Sequence, residues 1–257
     1  MNADPEAGAW PYNESGAIDQ MTTDLTVRHQ GELIWVEISR PPGNLFTLPM
    51  CTNLTRLLAD PPETARVLVL SAAGPNFCLG RERTAQTPEE VYAMSQALAD
   101  LNTALATSRL AVISQISGDA AGFGVGLAAL ADVAIASEAA RFTFPEAEAG
   151  LAPALVLTWL PSALGRRLAF WLTATAQPMD AGTAERTGLI NRAVPAERLR
   201  EAVREATELL LHQPAQVCAE IKKDLTTFSG LGVHEASDRA VERLALRSLV
   251  LNGGGPS

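Results

Sequence analysis

The sequence is poor in the residues from which most metal and redox centres are built: 3 histidines and 3 cysteines among 257 residues. Cys51, Cys78 and Cys218 are far apart, odd in number and contain no CxxC pair, which argues against a disulfide scaffold or a structural zinc site and fits a reducing compartment. His29, His212 and His234 have no acidic or cysteine cluster around them, so no metal centre is expected. Long apolar runs are also missing. The longest, such as 122–131, fall short of the ~20 residues that a membrane span needs. The opening MNADPEAGAWPYNESGAIDQ has neither the basic region nor the apolar core of a secretory signal. Positive charge is scarce: 20 Lys and Arg against 29 Asp and Glu leave a net charge of −9, which disfavours nucleic acid and anionic membrane as partners. GxxxxGK[ST], HExxH and GxSxG are absent, which removes P-loop hydrolases, zincins and nucleophile-elbow hydrolases. Gly122-Phe123-Gly124-Val125-Gly126 begins like a dinucleotide fingerprint, but the third glycine of that pattern would fall on Leu127.

What is present describes a soluble, cytoplasmic-type globular chain. It is 47% hydrophobic and 19% charged, with 19 Gly and 16 Pro in no period, enough for one full-sized core with or without a helical appendage. Residues 1–22 mix Pro, Gly, Asn, Asp and Ser without periodicity and read as a disordered or loosely docked tail. Leu33–Ile38 reads as a strand stopped by Pro41-Pro42-Gly43, and residues 48–59 as a helix ended by Pro61-Pro62. Val67–Ser71 and Ala111–Ile116 are continuous apolar runs, as in strands buried on both faces. Residues 72–80 read as a loop, and after Pro88-Glu89-Glu90 comes a helix to about residue 107; Gly118–Gly126 reads as a turn opening a helix over Leu127–Ala131, with a further strand at Val133–Ala136. This rhythm predicts an α/β fold of mostly parallel strands, 23–194 forming the core and 195–257 a helical region.

Two backbone-rich turns and one carboxylate stand out. The turn from Gly118 to Gly124 follows a buried strand and opens a helix, where unpartnered N–H groups can hold a developing oxyanion; the same glycines would equally serve close strand-to-helix packing. Phe77-Cys78-Leu79-Gly80-Arg81-Glu82 follows another buried strand and is open between an ordinary loop and a second N–H donor. Glu146, among Phe142, Phe144, Ala147, Ala149 and Leu151, is placed for partial desolvation, which raises a carboxyl pKa towards acid/base use; a solvated surface glutamate is the alternative.

In order, these pieces resemble the crotonase, or enoyl-CoA hydratase/isomerase, superfamily. The resemblance rests on Arg40-Pro41 with Asn44-Leu45, Phe77–Gly80, Ile116–Leu127 with Asp132, Phe142–Pro153, Leu164-Gly165, Ala181 to Ile190, and Val194-Pro195. It covers about residues 25–225 and implies a spiral of ββα units with a C-terminal helical trimerisation region, as a homotrimer or dimer of trimers. It implies an acyl-CoA thioester as substrate, coenzyme A entering only as part of it and no tightly bound cofactor. By position, the backbone N–H groups of Arg81 and Phe123 would form the oxyanion hole and Glu146 would be the acid/base. Arg40, Leu79, Gly80 and Gly122 would contact the CoA ester.

The first of the family's two hydratase glutamates falls on Gly126, which leaves isomerisation and single-glutamate hydration both open. A hydrolase or decarboxylase of the same superfamily, or a catalytically weak acyl-CoA-binding protein, are the other readings. An aspartate nucleophile of the dehalogenase type is excluded by Ala154. Pro153-Ala154-Leu155-Val156 stands where the family has Pro-Gly-Ala-Gly, which predicts a bulkier pocket wall. Arg81 adds a cation beside the first donor, open between an acyl contact, a pair with Glu82 and a CoA phosphate contact. The stretch 249–257 lacks the family's acidic-Gly-aromatic segment, which leaves the cover of the CoA site undefined.

Overall fold

The computed structural model describes residues 17–22 and 24–253. The first half runs β1 (Ala17–Thr22), β2 (Leu25–Gln30), β3 (Leu33–Ile38), α1 (Leu48–Ala59), β4 (Val67–Ala72), β5 (Asn76–Cys78), α2 (Pro88–Thr107), β6 (Ala111–Ile116), β7 (Asp119–Ala121) and α3 (Phe123–Ala129). It continues through β8 (Val133–Ser137), β9 (Arg141–Thr143), a 3-10 turn at Pro145–Ala149, α4 (Ala154–Leu157), α5 (Leu160–Thr175), β10 (Met179–Asp180), α6 (Ala181–Thr187) and β11 (Arg192–Val194). Helices α7 (Leu199–His212), α8 (Val217–Phe228) and α9 (Val233–Gly253) complete it.

Two sheets carry the described residues. The larger has the order β1-β2-β3-β4-β6-β8-β11, the smaller β10-β9-β7-β5. From β3 to β11 every neighbouring pair in the larger sheet is parallel. Its central strands are buried on both faces. Along β4, Leu68 and Leu70 join the main core with Met50, Leu54, Leu98 and Leu101 of α1 and α2, whereas Val67 and Val69 join a second cluster with Leu199 and Val203 of α7. Period-2 alternation between two apolar clusters explains why the strand reads as an unbroken apolar run.

Local chemistry sets the helix ends. The Thr47 hydroxyl accepts from the Met50 N–H at 3.3 Å to open α1. Thr87 and Glu90 form a reciprocal capping box at α2: the Thr87 hydroxyl accepts from Glu90 N–H at 3.2 Å, and the Glu90 carboxylate accepts from Thr87 N–H at 3.1 Å. Lys222 of α8, only 7% exposed, donates to the Asp132 carboxylate at 2.7 Å and the Leu110 carbonyl at 3.1 Å, which ties the C-terminal helices to the edges of β6 and β8. Burial pushes the Asp132 carboxyl up, against the pull of that ammonium. Among the described residues no helix is long and apolar enough to cross a membrane.

Three expectations differ from the structure. The tail expected over 1–22 gives way at 17–22 to β1, which pairs antiparallel with β2; residues 1–16 lie outside the described residues. Residues 76–78 of the expected loop are β5, because Cys78 pairs with Ala120 of β7. Helix α3 begins at Phe123, four residues before Leu127, with Gly124 and Gly126 inside it. Glycine normally weakens a helix interior by about 1 kcal/mol, but packing overrides propensity here. A Cβ on Gly124 would collide with the backbone carbonyl of Cys78, so only glycine lets α3 lie against β5.

That contact is testable. Gly124→Ala should destabilise the fold by at least about 3 kcal/mol, the upper end for overpacking, because the obstacle is backbone and cannot rotate away. A lowered urea midpoint with an unchanged slope is the expected reading; an unshifted midpoint would show that α3 has room to spare.

Candidate active site

Strands β5, β7 and β9 are mutually parallel, and Ala120 pairs with both Cys78 and Phe142. Their C-terminal ends therefore emerge on one side of the small sheet, where open parallel sheets commonly place their ligands. The segments that leave these ends are Leu79–Arg81, Gly122–Phe123 and Phe144–Glu146. Together they line one cavity of about 310 Å³.

The first segment is held from below by Asn44, a fully buried residue with φ 50°. Its amide donates to the carbonyls of Ala73 and Asn76 at 2.9 and 2.7 Å, and its own oxygen accepts from the Arg40 N–H at 2.8 Å. Leu79 N–H reaches the Gly43 carbonyl at 2.8 Å. Phe46 and Arg81 then form a parallel bridge in which Phe46 N–H donates to Gly80 C=O at 3.0 Å and Glu82 N–H to Phe46 C=O at 2.8 Å. Because backbone groups alternate along an extended strand, the Arg81 N–H points away from Phe46.

The second segment is the turn into α3. Gly122 adopts φ 52°, ψ −116°, and its N–H donates to the Thr143 carbonyl at 2.8 Å. Phe123 is the first residue of α3, so its N–H has no acceptor within the helix and carries the positive end of the helix dipole. Its ring meets Phe46 edge-on at 5.5 Å, which couples the two segments.

The third segment presents Glu146 on the 3-10 turn after β9. Leu151 N–H donates to the Glu146 carbonyl at 3.0 Å, and Gly150 closes the turn with φ 72°. The carboxylate lies so close to Gly122 that a Cβ there would strike its Oε1. The other oxygen, Oε2, is buried and accepts no hydrogen bond from the described residues. Desolvation raises the Glu146 carboxyl above the ordinary carboxylate range, opposed by its own backbone N–H and by the charges of Arg83 and Arg81. Glu148 is exposed and lies outside the cavity.

The remaining wall is mostly apolar, with Leu98 of α2, Leu151, Val156 and Leu155 of α4, and Trp159, whose indole sits 6.5 Å from the Phe144 ring; Arg83, Ser95 and Asn102 are its polar members. Leu155 and Val156 are the bulky side chains expected there from the sequence. Gly126 borders the same space. A Cβ on it would lie 3.6 Å from the Trp159 ring and 3.8 Å from Asn102 Oδ1, ordinary contacts that leave the position open.

Six of the seven residues singled out in the sequence, Glu146, Arg81, Phe123, Leu79, Gly80 and Gly122, line this cavity. Arg40 does not. Its guanidinium pairs with Glu82 and, at 3.5 Å, with Asp24, and donates to the Leu45 carbonyl at 3.2 Å, so it braces the loop behind the site. The Arg81 side chain makes only a 3.5 Å contact with the Glu82 carbonyl. Sequence reasoning missed Asn102, Trp159 and Arg83. Asn102 carried a signal: it lies four residues after Leu98 and three before Leu105, a polar residue on an apolar helical stripe.

A larger cavity, about 850 Å³, lies among the segment leading into β4, the end of α2 and α8, and is lined by none of these residues. Two of its cations are committed, Arg66 to the Leu211 and Gln213 carbonyls and Arg109 to those of Ala65, Pro61 and Pro62. Among the described residues no group of three His, Cys, Asp or Glu side chains is placed to hold a metal ion.

Comparison with known proteins gives the same picture. The family model for enoyl-CoA hydratase/isomerase matches residues 28–245. The enoyl-CoA hydratase ACTT6 of Alternaria alternata is 30% identical over 79% of this chain and 71% of its own. An enoyl-CoA hydratase structure from Mycobacterium smegmatis superposes with a TM-score of 0.83 over 92% of this chain and 99% of its own; at 22% identity it speaks for the fold alone. A Thermobifida fusca YX protein solved in complex with acetoacetyl-CoA is 27% identical, with a TM-score of 0.78 over 89% of this chain and 95% of its own. The α/β architecture is that of the crotonases, and the chain belongs to the enoyl-CoA hydratase/isomerase family.

Proposed function

We propose that this protein transforms an acyl-CoA thioester by way of an enolate, with the N–H groups of Arg81 and Phe123 holding the thioester oxygen and Glu146 carrying the proton. The observation that carries this reading is that Glu146, with its carboxyl desolvated, lines the same largely apolar cavity as Arg81 and Phe123. The acetoacetyl-CoA held by the Thermobifida fusca neighbour supports the ligand class.

Taking a proton from the carbon next to a thioester places negative charge on the carbonyl oxygen. Backbone N–H groups fixed before reaction stabilise that charge without reorganising, and removal of one such donor typically costs ~2.7–4 kcal/mol. Both donors are main-chain atoms, so their placement depends on Gly122, Gly124 and the Asn44 hub rather than on the Arg81 or Phe123 side chains. Glu146 must be ionised to take the proton and protonated to return it. A pKa raised by desolvation brings the two forms closer in free energy, which favours a group that must do both. Leu151, Leu155, Val156 and Trp159 suit an apolar acyl chain, and Arg81 and Arg83 offer cations to the ester's phosphates or to a polar acyl group. Coenzyme A then acts only as part of the substrate, in a chain that operates in the cytoplasm.

Assembly as a homotrimer or dimer of trimers accompanies this reading. Large apolar side chains are exposed on α5 (Phe170 68%, Trp171 58%), α8 (Leu225 71%) and α9 (Leu244 64%), more than a monomer ordinarily leaves in water. Light scattering should give three or six times the chain mass of 27.2 kDa; a monomer in dilute solution would reject it.

Glu146→Gln should lower turnover and α-proton exchange into deuterated water by about 10²–10⁴-fold, the usual contribution of a positioned acid/base. Binding of an acyl-CoA should persist, because the N–H donors stay in place. Full activity in this variant would dispose of the mechanism.

The pH profile supplies a separate check. Activity requiring ionised Glu146 falls as pH drops through its pKa, and burial puts that limb of kcat/KM above the ordinary carboxylate value of about 4.3. Arg83→Gln removes a positive charge that favours the ionised form, so the limb should move further up. A limb at or below the ordinary value, or one that Arg83→Gln lowers, would show that another group is titrating.

A further inference from the structure

We propose that Gly126 and Trp159 form the closed end of the acyl pocket and restrict this protein to short acyl chains, so that two residues one helical turn away from the reacting atoms set substrate length. The inference rests on the acyl-CoA reading above and deepens it by naming the size class of the acyl group.

The cavity follows α3 for one turn and stops. Its reacting end is at the start of the helix, where Phe123 opens α3 and the Glu146 carboxylate lies against Gly122. Gly126 stands on the same face three residues beyond Phe123, about 4.5 Å further along the helix axis. Ala129 and Leu130, which continue that face, do not line the cavity. On α2 the lining stripe is Ser95, Leu98 and Asn102, and Leu105 and Ala106, one turn on, are likewise outside it. Both helices therefore leave the cavity just past Gly126 and Asn102.

Trp159 closes that end. A Cβ on Gly126 would lie 3.6 Å from its Cζ2 and 3.8 Å from its Nε1, so the indole edge passes over the glycine at a distance that a single methyl group would fill. The ring is braced against the fully buried Phe144. Its main chain is fixed at the start of α5, where the Trp159 carbonyl accepts from the N–H groups of Ser162 at 3.0 Å and Ala163 at 3.3 Å. Those bonds do not involve the side chain, so the indole can be replaced without undoing them. The volume agrees with a short chain: about 310 Å³ is at the low end of the ~300–1,000 Å³ usual for small-molecule sites, and the thioester end takes part of it.

Length dependence can be read from both sides of this stop. Wild type, Trp159→Ala, Trp159→Leu, Gly126→Ala and Glu146→Gln are compared on straight-chain saturated acyl-CoA esters from butyryl to palmitoyl, by calorimetric binding and by deuterium uptake at the α-carbon. In wild type, affinity should rise about fourfold per methylene while the chain fills the pocket and then stop rising. At the same length kcat/KM for exchange should break downwards, by about tenfold or more for a methylene that meets the wall. Trp159→Ala should move the break to longer esters, and Trp159→Leu should move it less far. Gly126→Ala, whose methyl occupies part of the cavity, should move it to shorter ones; alanine suits a helix better than glycine, so the urea midpoint of that variant should not fall. Wild type that binds and exchanges palmitoyl-CoA as well as butyryl-CoA overturns the proposal. So does a break that stays at the same length in Trp159→Ala or Gly126→Ala, or an equal loss with every ester, which marks the ring as structural only. Glu146→Gln that exchanges like wild type overturns the enolate reading instead, and the binding series then still decides where the pocket ends.

Discussion

The site depends on how closely α3 can lie against the end of β5. No side-chain atom fits between Gly124 and the Cys78 carbonyl, and that contact brings the first turn of α3 to the cavity. The Phe123 N–H is unpartnered within the helix because of where the helix starts, and Gly122 sets that start with a backbone conformation that a Cβ would spoil. Opposite, Asn44 draws three backbone groups onto one buried amide and so fixes the loop that carries Arg81. The Phe46–Phe123 contact joins the two halves. The two N–H groups are thus positioned by main chain on main chain, an arrangement far stiffer than two side chains could provide.

Electrostatics at the site works against the charge of the whole chain. A net charge of −9 would be expected to weaken the binding of any anionic ligand, yet among the described residues one carboxylate lines the cavity, against Arg81 and Arg83. Glu82, directly after Arg81, is kept out of it by its pair with Arg40. The arginine singled out from the sequence as a ligand contact therefore acts behind the site, binding a carboxylate that would otherwise compete with Glu146 for the same cations. Desolvation can then set the Glu146 pKa as the largest influence on it.

Much of this was legible in the sequence, for identifiable reasons. Strands β4 and β6 show as apolar runs because both sheet faces are covered, and α2 shows through Val91, Met94, Leu98, Leu101 and Leu105 recurring every three or four residues. Glu146 was legible because its neighbours on both sides are apolar. The start of α3 was not, since glycine propensity argues against a helix and the tertiary contact that overrides it involves residue 78, far away in sequence. Strand β1 was hidden for a related reason: it is held by pairing with β2, and its own composition is that of a loop. Asn102 was visible as a break in an apolar stripe, but that this part of the stripe borders the cavity follows only from the fold.

The cavity is built in two parts with different tolerances. Its polar side comes from the ends of β5, β7 and β9, where backbone geometry does the positioning and substitutions are constrained by contacts with no spare room. Its apolar side comes from α2, α4 and the start of α5, which contribute only side chains: Leu98, Asn102, Leu155, Val156 and Trp159. Changes on that side alter volume and hydrogen bonding without moving Arg81 N–H, Phe123 N–H or Glu146. Gly126 sits between the two. It belongs to the helix that carries Phe123, yet its own position has room to spare: a Cβ there would make only ordinary contacts with Trp159 and Asn102 of the adaptable side.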